Sequence, residues 1–141
     1  THLLNPMSDL AIRPNLAAKR QNVLAAIKAA PAEKPIIVFV HAGTEYTSLS
    51  KDAEQQALRD YIDAGADAVI AAHTHVVGDM ELYKGKPIFF GIGNFLFDQY
   101  ADVSTRTTKL VRLRAGPPER TDVHSVRAGS GTMLFQTFTG R

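Results

Sequence analysis

Two short apolar runs separated by a helical stretch constrain this chain more than any other feature. Pro35-Ile-Ile-Val-Phe-Val40 is an unbroken β-branched and aromatic run, and Asp67-Ala-Val-Ile-Ala71 is a second. Runs of this kind suit strands buried on both faces. Between them, residues 51–64 carry Ala53, Ala57, Leu58, Tyr61 and Ile62 at helical spacing, with Ser50 placed to cap the start and Gly65 to end it. A strand–helix–strand unit of this length makes the two strands parallel, with a right-handed crossover. The fold class expected is therefore α/β. A further helix is expected over residues 15–30, where Leu16, Val23, Leu24 and Ile27 share a face, Asn15 can cap and Pro31 stops it.

Beyond residue 75 the pattern shortens. Val76–Tyr83, Pro87–Phe90 and Thr107–Arg114 are strand candidates, separated by turn signals at Lys84-Gly-Lys86 and Gly91-Ile-Gly-Asn94. Alternation in the last of them gives it one wet side. Residues 115–141 are rich in Gly, Ser, Thr and Pro around Met133-Leu-Phe135 and are expected as a loosely ordered basic tail. Residues 101–141 hold seven basic and three acidic side chains, whereas the whole chain has a formal charge of only +2. The basic residues are spaced rather than clustered and few aromatics stand among them, so nucleic acid is not an expected partner. No stretch approaches the roughly 20 apolar residues of a membrane span. The N-terminus lacks the basic head and apolar run of a signal peptide. It starts at Thr1, as a processed product or a piece of a longer protein would.

The chemistry gathers at the strand ends. His41 lies at the carboxyl end of the first run, and His73 and His75 just past the second. In open α/β sheets ligands bind outside the carboxyl ends of the strands. Residues i and i+2 of an extended segment project the same way, so His73 and His75 can address one point together with His41. The chain has no cysteine, so a tightly held transition metal must use His, carboxylate or amide ligands. Neutral imidazole is the commonest ligand for Zn, Fe or Mn. The alternative is three polar residues that share no partner. Glu45, four residues past His41, can orient an imidazole or act as general base toward an activated water; otherwise it is an exposed loop residue. Asp67 reads as a turn or cap residue. Gly91-x-Gly93 completes neither a P-loop nor a dinucleotide fingerprint.

Several motifs stand in a distinctive order: Val38-Phe-Val-His41-Ala-Gly-Thr-Glu45-Tyr46, Asp63-Ala-Gly-Ala-Asp67-Ala-Val-Ile70, His73-x-His75-Val76, Tyr83-Lys-Gly-Lys-Pro87-Ile88 and Gly93-Asn94-Phe-x-Phe97-Asp98. Over residues 10–114 the chain resembles the C-terminal half of the poly-γ-glutamate capsule-biosynthesis family of the CapA type. That family is similar to the calcineurin-like metallophosphoesterases. The resemblance implies half of an α/β/β/α sandwich, with residues 1–114 as the domain portion. It implies a site for divalent metal ions (Zn, Mn or Fe) in which His41 and His73 hold one ion and His75 the other. It also implies hydrolysis of a phosphoester by metal-activated water when the site is complete, with an anionic polymer or phosphoester as substrate and the cell envelope as the setting. Asn94 and Asp98 read as loop-ordering side chains lining the cleft, and so as candidate substrate-binding residues, or else as a turn-forming Asx pair. The bridging aspartate and the asparagine–histidine pattern of the superfamily have no counterpart here, and Ala72 stands where it usually has glycine. Two close divalent ions need anionic bridging ligands, which three neutral imidazoles do not supply. The chain alone is thus expected to hold one ion, with the N-terminal half of the fold or self-association completing the sheet and the site. Two further readings stay open: a mononuclear site with Glu45 as base, and a non-catalytic module for assembling, exporting or binding the capsule polymer.

Overall fold

A computed structural model describes residues 16–31, 33–48, 50–95, 102–114, 120–127 and 133–139. It is a mixed α/β structure, as the sequence pattern requires. The order is α1 (Leu16–Ala29), β1 (Ile37–His41), α2 (Asp52–Ala64), β2 (Ala68–Ala72), β3 (Met80–Tyr83), β4 (Lys86–Phe89), a short 3₁₀ turn at Ser104–Arg106, β5 (Thr107–Arg114), β6 (Arg120–Arg127) and β7 (Met133–Thr139). The first four strands form a sheet in the order β1-β2-β4-β3. β1 and β2 run parallel from Ile37 opposite Ala68 to His41 opposite Ala72, so both strands finish at the same rim. That shared end is what places the histidines together.

α2 forms because its apolar positions fall on one stripe and its first turn is acidic. Asp52 and Glu54 favour the positive end of the helix dipole, and Glu54 Oε2 accepts the Lys51 N–H at 3.0 Å. The cap is therefore Lys51 rather than Ser50, whose carbonyl instead accepts from Gln55 Nε2 at 3.1 Å. Gly65 ends the helix at φ 121°, with its N–H on Ile62 O, and Ala66 N–H returns to Tyr61 O. Ala57, Leu58, Tyr61 and Ile62 are buried; Ala53, at the exposed start of the expected stripe, is not. With Ile27 of α1 they cover one face of the sheet, meeting Val40, Val69 and Ile88. α1 is tied to α2 by an ion pair between Arg20 and Asp60, and α2 to β3 by Arg59, whose guanidinium grips both oxygens of Glu81.

The first run is not buried on both faces. Ile37 is 52% and Phe39 42% exposed, while Val40 is fully buried. β1 stands at the end of its sheet, and the helices cover only the face that holds Val40. An unbroken apolar run suits two-sided burial, yet the second face of β1 lies open at Ile37 and Phe39.

β3 and β4 form a hairpin across Lys84-Gly85, both at positive φ (52° and 78°), which is the twist a two-residue hairpin turn requires. The expected strand over Val76–Tyr83 is shorter, because Val77 makes only an isolated bridge to Ile92. β5, β6 and β7 form a separate antiparallel sheet. Leu110 and Arg112 are exposed while Lys109, Val111 and Leu113 are half-buried, giving the strand its wet side; Thr108, at the start of that same side, is buried. β5 is joined to the segment before it by Lys109 N–H on Ile92 O and by a bridge from Gly93 to Thr108. A Cβ on Gly93 would stand 2.2 Å from Thr107 O, so that approach needs glycine. Residues 115–141 were expected as a loose tail; β6 and β7 lie within them. Asp98 lies outside the described residues. Among the described residues no helix is long and apolar enough to cross a membrane.

Candidate functional site

The loops after β1 and β2 are stitched together by their backbones. Ala42 N–H donates to Ala72 O at 2.7 Å, and Tyr46 N–H to Thr74 O at 2.8 Å. Thr74 is the peg of this seam. It is 4% exposed, and its hydroxyl donates to Val76 O at 2.8 Å. Its Cγ2 would lie 2.8 Å from a Cβ on Gly43, and its Oγ1 2.7 Å from one on Gly91. Two glycines thus leave the room that one threonine fills.

The residues on either side of the peg are bent into unusual backbone. His73 has φ 108° and His75 φ 60°. Non-glycine residues in this region cost on the order of 1–3 kcal/mol and persist only where surrounding structure fixes them. Here the Thr74 seam does so. The strain falls on the two histidines themselves and not on Ala72, which remains in β2.

The three rings meet at the rim. His41 Nε2 and His73 Nδ1 are 3.1 Å apart, with ring centroids at 4.7 Å. His73 and His75 rings are 6.2 Å apart. Glu45 Oε1 lies 3.8 Å from His73 Nε2 and 3.9 Å from His75 Nε2, and the carboxylate side chain is half exposed. Partial burial, followed by the nearby His73 and His75 charges, holds the His41 imidazole below its usual pKa, which favours the neutral ring.

Behind His75 stands Asn94. Its Nδ2 donates to Thr105 O at 3.2 Å, which fixes the amide orientation and turns Oδ1 toward His75 Nδ1 at 2.9 Å. His75 therefore carries a proton on Nδ1, and in the neutral ring the Nε2 lone pair is on the Glu45 side. Asn94 was singled out as a substrate-binding candidate; the structure places its amide behind the ring, as a brace. Tyr46, itself at φ 58°, stacks on His75 with centroids 5.6 Å apart and planes 20° from parallel. The roles of Thr74 and of the Tyr46 stack have no counterpart in the sequence reading, whereas Asn94 does act as a loop-ordering side chain. The sequence signal for Thr74 was the pair of small residues, Gly43 and Gly91, that make room for it.

A divalent cation is the cofactor such donors suit. Two ligands held about 2.1 Å from one ion, spread between tetrahedral and octahedral angles, stand about 3.0–3.4 Å apart. The 3.1 Å between His41 Nε2 and His73 Nδ1 falls in that range. Among the described residues, however, no three His, Asp or Glu side chains are gathered closely enough to hold an ion as they stand. The donor set fits in kind, and one pair fits in spacing; the remaining positions call for ring movement, water or ligands from elsewhere.

Known proteins share these motifs. Residues 4–99 match the family described as bacterial capsule synthesis protein PGA_cap. Over 77 residues the chain is 40% identical to the PGA biosynthesis protein CapA of Bacillus subtilis (strain 168), covering 55% of this chain and 20% of that protein. Over 64 residues it is 36% identical to the capsule biosynthesis protein CapA of Bacillus anthracis, covering 45% of this chain and 16% of that one. The uncharacterized protein y4sH of Sinorhizobium fredii is 40% identical over 58 residues, 41% of this chain and 13% of its own length. The chain thus spans a fifth or less of the curated relatives it matches.

Proposed function

The chain belongs to the bacterial capsule synthesis protein family PGA_cap, and from that premise we propose that it contributes the histidine-bearing part of a metal-dependent phosphoester-hydrolysing site. The observation that carries this reading is the meeting of His41, His73, His75 and Glu45 at one rim, two of the rings 3.1 Å apart. His41 and His73 would hold one cation, and His75 Nε2 would be a donor to a second if another part of the fold supplied an anionic ligand. A bound divalent cation supplies Lewis-acid activation of water and of the phosphoryl oxygen.

The chain's own residues do the rest. Asn94 keeps His75 in the tautomer whose Nε2 can bind. The seam at Thr74 fixes the backbone that carries both histidines. Glu45 Oε1, exposed to solvent beside the rings, takes the proton of the attacking water as the water oxygen bonds to phosphorus; the bond from phosphorus to the alcohol oxygen breaks, and the departing oxygen takes a proton from solvent. A direct test measures Mn²⁺-dependent hydrolysis of p-nitrophenyl phosphate by the full chain. The Glu45→Gln variant should retain metal yet lose at least about 100-fold in rate. Loss of metal in that variant would make Glu45 a ligand instead of a base.

A second reading is a non-catalytic module that holds the capsule polymer. It is favoured by the absence, among the described residues, of three side chains gathered to bind an ion. Negligible metal together with no hydrolysis would select it.

A further inference from the structure

The Asn94 amide could stand either way round behind His75, and its orientation decides what the ring offers to the rim. With Oδ1 toward the ring, the His75 proton sits on Nδ1 and the lone pair on Nε2. Turned over, the Nδ2 group would donate to Nδ1, and the proton would sit on Nε2 instead. Glu45 pulls toward that second state, because its carboxylate attracts a proton to Nε2; at 3.9 Å, however, it is too far for a hydrogen bond. Asn94 Oδ1 stands 2.9 Å from Nδ1 and is the closer partner. The outcome therefore depends on what keeps the amide from turning over.

That group is the Thr105 carbonyl, which accepts from Asn94 Nδ2 at 3.2 Å. Thr105 is the middle residue of the 3₁₀ turn Ser104–Arg106. Hydrogen bonds of 3₁₀ geometry are poor, so a turn this short depends on partners outside it. Asp102 supplies them. Its Oδ1 accepts the Ser104 N–H at 2.8 Å, and its main-chain oxygen accepts the Thr105 hydroxyl at 2.8 Å. Arg106 N–H then closes the turn on Val103 O at 3.1 Å. The Ser104 N–H, the Ser104 hydroxyl and the Arg106 charge together outweigh desolvation and hold the Asp102 carboxyl below its usual value, so it is an ionised acceptor at neutral pH. Thr105 is buried, whereas Asp102 is exposed. An exposed carboxylate thus ties down the buried residue whose carbonyl orients the amide.

We propose that Asp102 is a positioning residue for His75, acting with the Thr105 hydroxyl through the turn. Asp102 holds the Thr105 carbonyl in place, that carbonyl holds the Asn94 amide one way round, and the amide keeps the ring proton on Nδ1 and the lone pair on Nε2. Use of that lone pair by a cation rests on the function proposed above. The place of the proton does not, and it is measured without metal.

The full chain, ¹⁵N-labelled and without added metal, is studied by long-range ¹H–¹⁵N imidazole NMR at about pH 8, where an ordinary imidazole is neutral. Protonated and bare ring nitrogens resonate apart, and the His75 signals are those missing from His75→Gln. The parent chain should show a protonated Nδ1 and a bare Nε2. Asp102→Ala should move the tautomer ratio toward Nε2–H by at least about fivefold, while the amide spectrum away from residues 94 and 102–107 stays as it was. Asp102→Asn keeps an acceptor for the Ser104 N–H and should restore most of the parent ratio. Should Asp102→Ala disturb the fold, Thr105→Val takes its place, with Thr105→Ser as the restoring variant. The proposal is overturned if parent His75 carries its proton on Nε2, if the folded variant leaves the ratio unchanged, or if the restoring variant shifts it as far as the disabling one. The expected shift in a chain that takes up no metal would leave the role of Asp102 standing and remove only the cation reading. Metal uptake by a chain whose tautomer ignores the turn would do the reverse.

Discussion

At the scale of single residues, Thr74 concentrates the most structure in the fewest atoms. Its hydroxyl satisfies Val76 O, its carbonyl accepts from Tyr46, and its methyl fills the space over Gly43. Thr74→Val keeps the shape and removes the donor to Val76 O; urea unfolding should show a loss of about 1 kcal/mol. Thr74→Ser keeps the hydroxyl and should recover part of that loss, so equal losses in the two variants would contradict the role given to the hydrogen bond. Tyr61 presents the opposite case. It is fully buried, and its hydroxyl has no hydrogen-bond partner among the described residues. Burial pushes the Tyr61 phenol up, keeping it neutral. Tyr61→Phe removes a desolvated hydroxyl without opening a cavity, so unfolding should show stability unchanged or raised by up to about 1 kcal/mol. A loss greater than that would reveal a partner for the hydroxyl.

At the scale of elements, the turn from α2 into β2 is held by Asp67. Its carboxylate accepts the Ile36 N–H at 2.9 Å and pairs with Lys86 at 3.0 Å, joining the entry of β1 to β2 and β4. Burial pushes the Asp67 carboxyl up, but the Ile36 bond, the Lys86 bond and the Lys86 charge together outweigh it and hold it below its usual value. A depressed carboxyl stabilises the fold above its unfolded pKa, and that contribution is lost as pH falls through the folded one. Stability should therefore fall on acidification below about pH 4, and less steeply in Asp67→Asn. An identical acid limb in the variant would contradict this. The strand–helix–strand unit and the capping roles of Gly65 and Asp67 were legible because period, turn chemistry and charge agreed locally. The open face of β1 was not, because hydrophobic content shows that a residue can be buried but not whether a partner lies over it. The convergence of His41, His73 and His75 was legible from parallel strands that end level. The brace behind His75 was hidden because the Thr105 carbonyl that turns Asn94 is a backbone group, which no side-chain motif records.

At the scale of the whole molecule, one face of the sheet stands open at its β1 end. Ile37 and Phe39 alternate along β1, the end strand of the sheet, both more than two-fifths exposed. An apolar face bounded by an unpaired strand edge favours association. Light scattering of the full chain should show a mass that rises with concentration, and Phe39→Lys should return it toward the monomer. A monomer at every concentration would contradict this. The same open face lies on the side of β1 that carries His41, so whatever covers it also comes near the rim where the histidines meet.

The central claim is that the histidine rim binds a divalent cation, with His41 and His73 as its ligands and His75 as a donor beside them, and its most direct measurement is metal content. The chain, incubated with Mn²⁺ or Zn²⁺ and freed of excess by gel filtration, is analysed by plasma mass spectrometry beside the His73→Ala/His75→Ala variant. The account predicts about one equivalent in the parent chain and close to none in the variant. Equal, negligible metal in both would contradict it.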